Sequence, residues 1–329
     1  VYSRKLQGGA TSSTSYINGF DEGDPSSFYV GGIPDTMPLP FAYGCDVTVA
    51  TGIADINADG MDDLLFAEED GPTLNARSFL SRGTPFTDLL INIKSSEGAS
   101  STIEYMLSTK YFDDGGALLN PKLPIGVTTV SAITTNDGFD TLSREEYTYA
   151  DGFYYFNDPH DRKFAGFGRV ETKDAEENIT QTYFHQGNTT DSANGEYSDH
   201  ISKAGKPYRI EKYDDNENLF SKTINKWDRY DLGNGASFVK LIDSVAFAYD
   251  GDSDHKERAL RFSYNDSTGN LSQKIEYGEV SGSDNGTFSD LGSDKFTTNI
   301  TYATSTATTT PAFYRLSKEE TVDQGSTKV

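Results

Sequence analysis

Asp88-Leu-Leu-Ile-Asn-Ile-Lys94 and Ser101-Thr-Ile-Glu-Tyr-Met-Leu107 decide the fold class. Both are short runs rich in Leu, Ile and Thr, and in the second, Ile103, Tyr105 and Leu107 share one face of a period-two pattern. Ser96-Glu-Gly-Ala-Ser100 stands between them as a turn, so the pair reads as a β-hairpin. Outward from this hairpin, strands are expected over 128–134, 144–149, 168–172, 180–185, 206–213, 221–227, 237–249, 258–264, 271–277 and 295–302. Turn clusters punctuate them at Asn136-Asp-Gly138, Asp151-Gly152, 174–178, 214–218, 265–270 and 281–286. Helical periodicity is almost absent, and strands at this spacing with no helices between them predict an all-β, antiparallel architecture.

Composition narrows the function. The chain has 51 Asp+Glu against 28 Lys+Arg, a net charge of −23, which argues against nucleic acid as a partner because phosphate contacts need clustered cations. No apolar run reaches the roughly eighteen residues that a membrane span requires, so no direct membrane insertion is expected. Cys45 is the one cysteine, which excludes an intrachain disulfide and a cysteine-based zinc site. The opening at Val1 leads us to expect a fragment of a larger protein. A composition shift divides it: residues 1–83 are rich in Gly, Pro and Asp, and 84–329 read as long hairpins, with Gly83-Thr-Pro85 as the joint. Residues 187–205 are polar and read as an exposed loop; 304–311 are Thr-rich and read as a loop or linker.

The motif with the most specific chemistry is Asp55-Ile-Asn57-Ala-Asp59-Gly60-Met61-Asp-Asp63. Oxygen side chains recur at every second position, and a hard cation such as Ca²⁺ takes six to eight oxygens, here from Asp55, Asn57, Asp59, the Met61 carbonyl and Asp63. Gly60 permits the sharp turn. The motif departs from an EF-hand, since Phe66 stands where a bidentate Glu would, and Leu64-Leu-Phe-Ala67 reads as a strand. Such loop-then-strand units resemble the FG-GAP/VCBS repeats of β-propellers. The bland alternative is an Asp-rich turn with no ion.

Enzyme signals are weak. His160, His185, His200 and His255 share no ligand spacing, and there is no nucleophile elbow and no phosphate-cradling loop. Asp158-Pro-His160-Asp161 reads as a polar turn, so no catalytic residue is assigned.

Several segments, in order, resemble the SpvB and insecticidal toxin-complex B-component family. They are 88–105 with Ser108-Thr-Lys-Tyr111, Pro121-Lys-Leu-Pro124 with Val127-Thr-Thr-Val130, Tyr147-Thr-Tyr149, Asp151-Gly-Phe-Tyr154, and Arg162-Lys-Phe-Ala-Gly-Phe-Gly-Arg-Val-Glu171. Thr182-Tyr-Phe-His185 and Gly205-Lys-Pro-Tyr-Arg-Ile-Glu211 follow. Glu211-Lys-Tyr-Asp-Asp-Asn-Glu-Asn-Leu219 and Phe262-Ser-Tyr-Asn-Asp-Ser-Thr-Gly-Asn-Leu271 are similar to degenerate Rhs, or YD, repeats. The resemblance implies a secreted protein in which a propeller docks on a pore-forming partner. An Rhs-type sheet then forms a shell around a toxic C-component or C-terminal segment. On this reading residues 1–83 end the propeller and 84–329 begin the shell wall, a structural and non-catalytic role. The rival class is a calcium-dependent surface adhesin or carbohydrate-binding β protein, since calcium loops and exposed aromatics serve both.

Overall fold

The computed structural model describes residues 49–56, 60–70, 73–81, 89–139, 141–249, 253–303, 317–324 and 327–328. The chain divides into two compact units, one of Val1–Asn92, Glu104–Lys110 and Ile125–Val130, the other of Ile93–Ile103, Tyr111–Pro124 and Ser131–Val329. Cys45, the joint at Gly83-Thr-Pro85 and the Thr-rich 304–311 lie outside the described residues. No helix among the described residues is long and apolar enough to cross a membrane.

In the first unit, β1 (Val49–Ala54), β2 (Asp63–Asp70) and β3 (Thr73–Phe79) form an antiparallel sheet in that order. The β1–β2 ladder ends at Ala54↔Asp63, so the acidic motif is the loop that joins these two strands. The strand expected after the motif is β2.

The larger sheet has fifteen strands, beginning with β4 (Asn92–Lys94), β5 (Ser100–Leu107), β6 (Thr128–Asn136), β7 (Leu142–Asp158) and β8 (Asp161–Lys173). It continues through β9 (Ile179–Phe184), β10 (Pro207–Tyr213), β11 (Leu219–Gly233), β12 (Ala236–Ala248), β13 (Lys256–Tyr264) and β14 (Leu271–Gly282). It ends with β15 (Phe288–Asp290), β16 (Phe296–Tyr302), β17 (Ser317–Gln324) and β18 (Thr327–Lys328). Chain order is sheet order, except that β16 passes over β15 to pair with β14. The ladders from β6 onward are antiparallel. This meander follows from the turn chemistry: Asn234-Gly235, with φ of +53° and +78°, makes the two-residue turn that matches the twist of β11 and β12.

The expected hairpin at 88–107 is present in reduced form. A turn closes it, with the Ser95 N–H donating to the Ala99 carbonyl at 2.8 Å, but β4 covers only three residues and is exposed. In β5, Ile103, Tyr105 and Leu107 share the more buried face, as the alternation predicts. Asp151-Gly152, expected as a turn, instead lies inside the seventeen-residue β7. Asp151 takes φ of +56° and the register with β8 shifts just after Gly152, so these residues form a bulge. Bulges and turns demand the same left-handed dihedrals, which explains the misreading.

Among the described residues, few apolar side chains are fully buried in this broad sheet. The main cluster is Ile224, Val245, Phe247, Ala259 and Val280, flanked by Tyr249, Tyr277 and Phe288. Residues 185–206, the excursion between β9 and β10, pack over Ile224. A Cβ built on Gly195 would stand 2.5 Å from Ile224 Cγ2, and one on Gly286, in the turn between β14 and β15, 2.8 Å from it. Only residues without a side chain fit there.

Candidate functional site

The predicted ion loop belongs to the first unit. Gly60 takes φ of +83°, and its N–H donates to Asp55 Oδ2 at 2.8 Å. Asp63 is fully buried, with Oδ2 accepting from the Ile56 N–H at 3.0 Å and Oδ1 from the Ser81 N–H at 2.8 Å. Asp55 therefore turns back onto the loop, while Asp63 ties the loop at Ile56 to the segment after β3 at Ser81. Met61 is half-buried, while Asn57 and Asp59 lie outside the described residues. Three of the five expected ligands are thus described, on one short loop.

A second polar centre, which sequence reasoning missed, sits in the other unit. Residues 187–205, expected as an exposed loop, form a folded strap with short 3₁₀ turns at Ser192–Asn194 and Ile201–Lys203 and a buried polar interior. His185, Gln186, Glu196 and Lys203 are all buried. The reason is hydrogen bonding. Lys203 Nζ donates to the carbonyls of Tyr197 and Ser198, both at 2.7 Å, and of Trp227 at 2.8 Å, so three acceptors replace the water it loses. Burial nevertheless lowers its pKa.

His185 Nδ1 lies 2.9 Å from Asp199 Oδ1 and 3.1 Å from Glu196 Oε1. Both carboxylates are held from behind. Asp199 Oδ2 accepts from the Gly187 N–H at 2.7 Å and the Asn188 N–H at 2.9 Å, while Glu196 Oε2 accepts from the Asp191 N–H at 2.7 Å. Burial opposes charge on the His185 ring, but the hydrogen bonds to Asp199 and Glu196 outweigh it, and its pKa is raised. Burial likewise opposes the Asp199 carboxylate, yet its bonds to His185, Asn188 and Gly187 prevail and lower its pKa. His185 Nε2 is buried with no hydrogen-bond partner. The three side chains come from the end of β9 and two places on the strap, so no short sequence spacing announced them. The run of small and polar residues in 187–205 was the one available signal.

A cleft of about 300 Å³ adjoins this centre, lined by Asp151, Tyr183, Gln186, Asp191, Glu196 and Tyr208 among others. Asp158-Pro-His160-Asp161 is a tight turn as expected, with Asp158 Oδ1 accepting from the His160 N–H at 2.7 Å and the Asp161 N–H at 3.0 Å.

Comparison with known proteins bears on the fold. Residues 30–192 match the family described as the insecticide toxin TcdB middle/N-terminal region. No curated protein matches the chain. Among solved structures, a Tc holotoxin pore of Photorhabdus luminescens shares the fold with a TM-score of 0.60 at 15% identity, over 84% of this chain and 16% of that one. TcdB2-TccC3 without its hypervariable C-terminal region aligns with a TM-score of 0.59 at 16% identity, over 87% of this chain and 17% of that one. The chain thus spans about a sixth of the length of the solved chains it resembles. The family match covers just under half of this chain, and the solved structures share its all-β fold.

Proposed function

We propose that the chain is a non-catalytic structural segment of a secreted toxin-complex B-type protein, contributing shell wall from its large sheet and the end of a calcium-bearing propeller from its first unit. The observation that carries this reading is the fifteen-stranded meander itself. Among the described residues its fully buried apolar side chains are few, and the main buried cluster is five residues around Ile224. A sheet that broad with so little covered area suits a wall better than the packed core of a globular enzyme. The solved structures that share the fold are described as TcdB2-TccC3 assemblies and a Tc holotoxin pore. By that likeness, the partners of this protein are a pore-forming toxin-complex component and a C-component or C-terminal toxin segment enclosed by the shell.

Co-expression of the full protein with its C-type partner tests the reading through limited proteolysis. The partner's toxic segment should resist protease while the shell is intact and become sensitive once the shell is opened with denaturant. A segment cleaved equally fast in both conditions contradicts encapsulation.

The loop of Asp55, Asn57, Asp59, Met61 and Asp63 is proposed as a Ca²⁺ site, supported by its ligand spacing and by the inward turn of Asp55. Calorimetry should show calcium binding to the wild type that an Asp55→Ala/Asp59→Ala variant lacks. Equal heats from both folded proteins would reduce the loop to an Asp-rich turn.

A further inference from the structure

We propose that His185, Glu196 and Asp199 form a second metal site, for a divalent transition metal of the zinc or cobalt class, closing the strap onto the end of β9. Three features carry it. The His185 nitrogen and the two carboxylate oxygens lie within 4.8 Å of one another, and all three side chains are at most 4% exposed. Neighbouring ligands held at the usual 2.0–2.2 Å from such an ion lie roughly 2.9–3.5 Å apart, as estimated from ordinary zinc bond lengths. Nδ1 stands 2.9 and 3.1 Å from its two carboxylate oxygens, which fits that spacing.

The second feature is support. The far oxygens of Asp199 and Glu196 are anchored by the backbone N–H groups of Gly187, Asn188 and Asp191, and Asp199 Oδ1 also accepts from the His200 N–H at 2.7 Å. Ligands fixed in this way are pre-oriented before the ion arrives.

The third is an excess of acceptors over donors. Two buried carboxylates converge on one ring nitrogen, and a single Nδ1–H cannot serve both well. Nε2 of the same ring is buried, with no hydrogen-bond partner among the described residues. A divalent ion at Nδ1 neutralises both carboxylates and needs only the neutral ring. One imidazole with two carboxylates selects a transition metal over calcium, which takes oxygen ligands. Glu196 also lines the adjoining cleft, which offers an entry path and room for water in the remaining coordination position.

The test is cobalt(II) titration of the 329-residue chain, with excess calcium present to occupy any oxygen-only loop. The expected result is one equivalent of cobalt with visible d–d bands, displaced by zinc. Glu196→Gln should bind at least about tenfold more weakly. Circular dichroism of Glu196→Gln must first match that of the wild type. Folded wild type without a one-equivalent band, or a Glu196→Gln variant that binds cobalt as tightly, overturns the site and leaves the cluster as an ion-paired latch.

Discussion

Gly187 is the residue on which the strap turns. It takes φ of +78°, and a Cβ there would fall on the backbone of Ile201. Gly187→Ala combines left-handed strain with overpacking and should cost about 2–4 kcal/mol, with a correspondingly lower melting temperature. An unchanged melt would mean the strap is not integral to the fold. Glu177 and Glu217 hold φ of +68° and +63° in two hairpin turns of the same design, so replacing either by Gly should leave stability unchanged or raise it by up to about 1 kcal/mol. In the second of these turns, Asp214 accepts from the Asn216 N–H at 3.0 Å, the Asn218 N–H at 2.7 Å and the Asn218 side chain at 2.9 Å. The Asn218 amide and these backbone bonds lower the Asp214 pKa below its ordinary 3.8. A lowered carboxylate pKa gives stability that is fully present above the unfolded value and is lost as pH falls through the folded one. The melting difference between wild type and Asp214→Asn should therefore be constant above about pH 5 and shrink toward pH 2; a difference that does not change with pH refutes the clamp.

At the scale of elements, the strap and the β14–β15 turn cover Ile224, which is 1% exposed. Ile224→Ala should destabilise the chain by about 2–5 kcal/mol, through lost burial and the cavity left beneath two covering segments. A cost below about 1 kcal/mol would mean that the cover collapses freely and the cluster is not a core. The strands themselves were legible because alternation and turn chemistry agree along most of the chain: β6, β9, β10, β12 and β13 lie within a few residues of their expected bounds. What stayed hidden was of two kinds. Left-handed residues inside a strand, such as Asp151, look like a turn when read locally. A buried polar strap looks like a solvated loop, because its burial depends on partners such as Asp199 and Lys203 that find each other only in the folded chain.

On the scale of the whole molecule, chain order and sheet order coincide with one exception, so nearly every sheet contact is made between sequence neighbours. That arrangement lets a long sheet grow by adding hairpins. The all-β class was visible in composition and periodicity, whereas the proposed enclosure of a cargo has no counterpart in the residue pattern, since a curved wall and a flat sheet share the same alternation. Cryo-electron microscopy of the full-length protein is the most direct measurement of the central claim. The account predicts that residues 93–303 form one stretch of wall with one face toward an enclosed lumen. A map in which that sheet is covered on both faces by packed layers, with no lumen beside it, would contradict it.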